Sequence, residues 1–409
     1  MRFVLANNHC ISDPTTGDTH SLLTIMRWLA QAGHQCHVLT TARFETPVTF
    51  TIEEHLSELG VAVEQVTTGG TPAVRYTIND VPVTLLLTRH HDEAKPDPDE
   101  ARDYLGLFER LRNEFAPDQM IACSAHPMIR LALEAAQESG ITTVFTLRAP
   151  GYFDRRYFES VDHVFTNGQY LTDLYFERIG LTSTPLHSPI VWSNVLAPTE
   201  SRAFVTFVNP ALHKGLMLFA RLADMLGSRR PDIPVLVVQS GSGGFLNNIS
   251  ELDFSRYPQI MAAPPVRTPA EYFALTRILL VPSLIESFGR VAVEAMINGI
   301  PAVVGNRGAL AGVIGGDFSE GGGGRVVPIP DWMVPNGLEL PSETEIEPWF
   351  EAVCQLWDDT VLYNRVSTRA RQIAEGRYSE EVSRTMHLDY LMSLKPGGRL
   401  FSGLPDLGK

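Results

Sequence analysis

PSLIESFGRVAVEAMINGIPAVV, Pro282 to Val304, places two carboxylates, Glu286 and Glu294, eight positions apart around a glycine-bearing turn. Just before it, Ile278 to Val281 is a short apolar run, which suits a buried parallel strand leaving a sheet at its carboxyl end. Open α/β sheets bind ligands at that end. From Gly289 onward Val291, Ala292, Ala295 and Met296 recur at helical spacing, so a helix is predicted to begin near Phe288-Gly289. Its first backbone N–H groups lack intrahelical partners and can hold a phosphate or a sugar hydroxyl. Gly299-Ile300-Pro301 ends the helix and Ala302 to Val304 opens the next strand. A carboxylate is a poor partner for phosphate and a good one for hydroxyls. The two glutamates therefore point to recognition of sugars, as two on one ligand in a nucleotide sugar.

Strand and helix alternate outward from this segment. Phe3 to Ala6, the helix His20 to Ala32, Gly33 and the strand Cys36 to Thr40 read as a βαβ start. Met120 to Cys123 and Thr143 to Leu147 read as strands flanking a helix Met128 to Glu138. A second sheet begins at Ala203 to Val208, runs into a long amphipathic helix after Lys214-Gly215, and continues at Val235 to Gln239. The glycine-rich SGSGG, Ser240 to Gly244, and Gly321 to Gly324 read as loops. Tyr378 to Leu394 reads as helix. The break between the two halves is placed in SPIVWSNVLAP, giving domains 1–194 and 195–376 with a terminal helix and tail over 377–409.

The Pro282–Val304 segment resembles the E-x7-E region of retaining glycosyltransferase family 4, whose usual form is PS-x-x-E-x-F-G-x-x-x-x-E-A-M-x-x-G-x-P-V-V. The resemblance implies the GT-B fold, two Rossmann-like domains facing each other across a cleft. It implies that Glu286 contacts the donor sugar, that Glu294 takes the ribose hydroxyls, and that Ser287, Phe288, Gly289, Arg290 and Val291 lie along the sugar and diphosphate. VNPALHKG resembles the family's G-R-L-x-x-x-K-G loop, so Lys214 is the diphosphate cation, while Asn209 stands where an arginine is expected. A neutral amide supplies a weaker bond to phosphate than a guanidinium, and Arg290 or Arg267 are candidates to compensate. Gly17, in TTGDTH, matches the glycine that approaches the donor phosphates. Arg148 stands where relatives carry a histidine that reaches the donor sugar; being permanently charged, it suits a phosphate or an acidic acceptor. His126, in SAHP, is a second candidate for the cleft. Relatives place the base near the segment matching Ala262 to Arg267, and their last helix crosses back to the amino-terminal domain.

Composition bounds the alternatives. At 409 residues with 44% hydrophobic content the chain is long enough for two cores. The net charge of −14 argues against nucleic acid as a partner. It also disfavours, without forbidding, peripheral docking on anionic membranes, and the stretch with Arg102, Arg110 and Arg112 among Glu100, Asp103, Glu109 and Glu114 reads as a solvated mixed-charge helix. Cys10, Cys36, Cys123 and Cys354 are scattered without metal-ligand or disulfide spacing, and no secretory signal is read at the start, so a cytoplasmic location is expected. Asp97-Pro98-Asp99 reads as solvated loop and His90-His91-Asp92 as surface histidines, not as metal ligands. No G-x-G-x-x-G follows the first strand, against a nicotinamide enzyme.

The expected activity is metal-independent, cofactor-free retaining transfer of a hexose-type sugar from a UDP- or GDP-linked donor to an unspecified hydroxyl acceptor, by front-face attack. The alternatives are a nucleotide-sugar epimerase of the same fold and a catalytically silent nucleotide-sugar-binding partner.

Overall fold

The computed structural model describes residues 1–14, 16–45, 48–89, 97–239, 249, 252–266, 268–334 and 337–401. The chain divides into two compact units, Met1–Pro189 with Ser383–Lys409, and Ile190–Val382.

The first unit runs β1 (Arg2–Ala6), α1 (Gly17–Gln31), β2 (Gln35–Thr41), α2 (Ile52–Glu58), β3 (Glu64–Val66), β4 (Ala73–Ile78), β5 (Val81–Leu86), α3 (Pro98–Phe115), β6 (Gln119–Ala122), α4 (Pro127–Glu138), β7 (Thr142–Leu147), β8 (His163–Thr166), α5 (Gln169–Ile179) and β9 (Thr184–Pro185). Its sheet has the order β3-β4-β5-β2-β1-β6-β7-β8-β9, parallel from β5 to β9 and antiparallel over β3-β4-β5. The strands at its centre are buried on both faces, as a sheet covered by helices on each side requires. α1 begins a turn before the expected His20 because the Thr16 hydroxyl accepts from Asp18 N and caps it.

The mixed-charge stretch is helical, as α3, but its solvated reading fails at two positions. Glu100 is fully buried and Asp103 nearly so. Glu100 bonds Arg43 and the amide of Arg89, and Asp103 accepts from Thr71 N. Burial is tolerated because both carboxylates find donors. Asp97-Pro98-Asp99 is likewise not loop: Asp97 caps α3, accepting from Asp99 N, with Pro98 in the first turn where its missing N–H costs nothing. His90, His91 and Asp92 lie outside the described residues.

The second unit runs β10 (Phe204–Val208), α6 (Leu216–Arg229), β11 (Val235–Val238), β12 (Ile260–Ala263), α7 (Pro269–Phe273), β13 (Thr276–Val281), α8 (Arg290–Ile297), β14 (Ala302–Gly305), α9 (Leu310–Val313), β15 (Gly324–Val327), α10 (Glu343–Asp358) and α11 (Thr360–Tyr378). All its strand pairings are parallel, in the order β12-β11-β10-β13-β14-β15. That is the doubly wound order, and β10 and β13 flank the point at which it reverses. The core is built from α6, α10 and the inner sheet residues, with Phe207 stacked on Phe219 and Trp349 fully buried. α12 (Glu380–Ser393) starts in this unit and ends in the first, where Gln119 Nε2 donates to Leu391 O at 2.7 Å. Among the described residues no helix is long and apolar enough to cross a membrane.

Candidate functional site

The reversal point explains why distant residues meet in the second unit. β10 and β13 are neighbours, with Phe207 opposite Leu280, so the loops leaving their carboxyl ends are side by side. The first loop carries Lys214 and the second Glu286. Lys214 Nζ lies 2.8 Å from Glu286 Oε2, and Ser283 Oγ donates to the same oxygen at 3.1 Å. Both of these contacts fall on Oε2, and 13% of the Glu286 side chain is exposed. The two loops are locked together by Leu284 N donating to His213 O and by Gly215, which has φ +83°. A β-carbon on Gly215 would stand 1.9 Å from Pro282 O, so only glycine allows Lys214 this approach. The second loop is in turn held by Ala309 N donating to Glu286 O at 2.8 Å.

Helix α8 opens at Arg290 after Gly289, and no side chain caps it. The Phe288 side chain turns into the core against Tyr378, so this stretch offers a ligand its backbone. Val291 and Ser287 are half-buried on either side.

Glu294 is buried one turn inside α8, where Arg290 Nε bonds its Oε1 at 2.7 Å. Burial raises its pKa above the ordinary glutamate range, and Arg290 pulls in the other direction. Arg290 is thus a partner of Glu294, not simply a spare phosphate cation.

Asn209 sits at the end of β10 with φ +59°, the left-handed region in which asparagine is enriched and arginine is not. The backbone turn gives a physical reason for asparagine here. The second unit therefore brings together Lys214, Ser283 and Glu286, and separately Arg290 and Glu294. Arg267 and the Ser240–Gly244 loop lie outside the described residues. Sequence reasoning missed Ser283 and Gly215; Ser283 was in the quoted motif, and the glycine following Lys214 was the available signal for close approach.

The remaining sequence-derived residues lie in the first unit. Its strand order also reverses, between β1 and β6, and a cavity of about 180 Å³ opens there, lined by Asn7, Thr16, Asp18, Glu45, Arg148 and Tyr152 among others. Gly17 is exposed at the start of α1 between two of these lining residues. Arg148, at the end of β7, is buried and donates through Nη1 to Ser188 Oγ at 2.9 Å. Cys123 also borders the cavity, its thiol pushed up to about 12 by burial, which makes it a poor nucleophile. His126 is the N-cap of α4, and its Nε2 lies 3.0 Å from Arg43 Nη1. An arginine can only donate, so this nitrogen serves as acceptor. Arg43 and Glu100, both fully buried, form the ion pair behind it at 2.8 Å. Nothing in the sequence distinguished them, since burial of a charge is decided by tertiary packing. Among the described residues no three metal-ligating side chains cluster.

Residues 192–333, which contain Lys214, Glu286 and Glu294, match the family model described as Glycosyl transferases group 1. The D-inositol 3-phosphate glycosyltransferase of Paenarthrobacter aurescens is 33% identical over 110 residues, 25% of this chain and 26% of that protein. The enzyme of the same name from Pseudarthrobacter chlorophenolicus is 35% identical over 107 residues, again 25% of this chain and 26% of its own length. The matched stretch thus spans about a quarter of the length of these curated relatives. Sucrose-phosphate synthase from Thermosynechococcus elongatus superposes with a TM-score of 0.69 at 13% identity, covering 96% of this chain and 98% of that one. HepE of Anabaena, solved in complex with UDP, gives 0.69 at 14% identity over 96% of this chain and 100% of its own. The fold is the two-domain GT-B fold, as expected.

Proposed function

We propose that this protein is a retaining glycosyltransferase that moves a hexose-type sugar from a UDP- or GDP-linked donor to a hydroxyl acceptor, by front-face attack and without a metal or cofactor. The observation that carries the proposal is the contact of Lys214 with Glu286 at the reversal point of the parallel sheet, 2.8 Å apart beside the uncapped start of α8. The group 1 match over the same residues supports it.

In this reading the donor diphosphate lies over Lys214 and the amides at the head of α8, which stabilise charge on the departing phosphate. Glu286 orients the sugar, and Glu294 holds the ribose. Front-face attack is favoured over double displacement because the sequence places no second carboxylate to complete one with Glu286. The leaving phosphate then takes the acceptor's proton. The acceptor belongs to the first unit's cavity, where Arg148 suits an acidic or phosphorylated hydroxyl compound. The curated relatives are named for D-inositol 3-phosphate, a compound of that class. A cytoplasmic location is part of the same proposal.

The second reading, a nucleotide-sugar-binding partner without turnover, draws on Asn209 standing where an arginine is expected. A calorimetric titration of UDP, GDP and ADP into wild type and Glu294→Ala, followed by assay for donor hydrolysis, separates them. One nucleotide is expected to bind selectively and to weaken about tenfold or more in the variant. Binding without any turnover would favour the silent partner, and no binding at millimolar concentration to wild type would overturn the donor site.

A further inference from the structure

The glycine run Gly321–Gly324 is not among the residues assigned to the donor, and the structure shows what it accommodates. Helix α11 packs directly on it. A β-carbon on Gly323 would stand 2.8 Å from Ala370 Cα, and one on Gly322 1.7 Å from Gly316 O. Side chains at either position would push the helix or the preceding turn away, so the segment is fixed by packing and its last residue is already in β15.

Between this segment and the outer face of α11 is an open cavity of about 600 Å³, walled by Arg365, Arg369, Gln372, Gly321, Gly322 and Phe318. Arg365, Arg369 and Gln372 recur at the spacing of one helix face and are exposed. Arg369 Nε donates to Gly321 O at 2.7 Å, which fixes the plane of the guanidinium and leaves its terminal amino groups for a ligand. Among the described residues neither arginine is in an ion pair, and no acid lines the cavity. The nearby acids are engaged or turned aside. Asp317 bonds Arg325 and two backbone amides, Glu375 pairs with Arg371, and Glu320 lies over Gly316. In a chain of net charge −14, α11 carries Arg365, Arg369, Arg371 and Arg377 against Glu375.

We propose that this cavity binds a soluble phosphate-bearing small molecule. Its phosphate sits between Arg365 and Arg369, whose planar forks suit phosphate oxygens, and the rest of the ligand lies against Phe318, with Asn364, Thr368 and Gln372 available to hydroxyls. None of these residues belongs to the donor constellation, so the site is separate from it. A lipid headgroup presents the same phosphate; the proposal is for the soluble form, because a chain of net charge −14 is disfavoured on an anionic membrane surface.

The test is calorimetric titration of inorganic pyrophosphate, at fixed low salt, into Lys214→Ala, in which the donor diphosphate clamp is removed. Binding below about 1 mM is expected, weakened about tenfold or more by adding Arg365→Gln and Arg369→Gln. Lysine at both positions keeps the charge and is expected to restore part of the affinity, which excludes misfolding as the cause of the loss. No binding to Lys214→Ala, or equal binding to the glutamine variant, would overturn the site. Flotation with phosphatidylglycerol vesicles that depends on the same arginines, without pyrophosphate binding, would overturn its assignment to a soluble ligand.

Discussion

Lys214 Nζ pairs with Glu286 Oε2 at 2.8 Å, with 27% and 13% of the two side chains exposed. On the proposed donor site a diphosphate would meet a cation already oriented by a carboxylate, so that Lys214 need not be ordered at the moment of binding.

Lys214→Ala should weaken UDP binding about tenfold or more, the worth of a charge-assisted hydrogen bond of about 1.5–3 kcal/mol. The midpoint of thermal unfolding should move little, because the pair is partly solvated. Calorimetry and a melting curve check both, and an unchanged UDP affinity would remove Lys214 from the diphosphate site.

Gly215→Ala should be costlier than its size suggests. The new methyl would meet Pro282 O at 1.9 Å in a backbone with φ +83°. Relief requires the two ligand loops to part, at about 1–3 kcal/mol. A lowered melting temperature together with weaker UDP binding is the expected pair of results. A wild-type melting curve would mean that the loops are not held together at this glycine.

Much of this was legible where the signal is local. The β13–α8–β14 unit could be read from the apolar run and helical spacing around Glu286, to within a residue or two at each end. The β4–β5 hairpin was not read, although Asn79 and Asp80, both with positive φ, are the residues a two-residue turn favours. Pro82 in the second strand masked it, since proline argues against a central strand. The burial of Glu100 could not be read at all. Its partner Arg43 lies 57 positions away, and nothing near either residue in the chain marks the pair.

Arg43→Met is predicted to destabilise the first unit by about 3–5 kcal/mol by leaving Glu100 charged and buried without its partner. Arg43→Met combined with Glu100→Met should recover most of that loss. Guanidinium unfolding followed by a probe in this unit measures the difference. If both variants are equally unstable, the cost lies in packing and not in the lone charge.

The first unit should also be acid-sensitive. His387 lies among Trp28 and Phe165, and burial pushes its pKa down to about 3 from an ordinary 6.5. A histidine depressed in the folded state contributes stability that is present above its unfolded value and lost as pH falls from there toward the folded one. Between pH 7 and 5 the loss is about 2 kcal/mol. His37, pushed down to about 4 by burial, adds to it. Melting temperatures of His387→Phe should therefore fall less steeply than wild type between pH 7 and 5, and parallel curves would show that His387 does not titrate as its burial requires.

The first unit is assembled from both extremities of the chain. Thr182 N donates to Leu400 O and His163 Nε2 lies 2.7 Å from Lys395 O, joining residues more than two hundred positions apart. A ribosome working at about 5–20 residues per second delivers β1 to β9 long before these closing residues emerge. The Ile190–Val382 unit, continuous in sequence, can complete itself in the interval, whereas its predecessor must wait with its sheet unsealed. The unit whose strands emerge earlier is thereby closed after the unit that follows it in the chain.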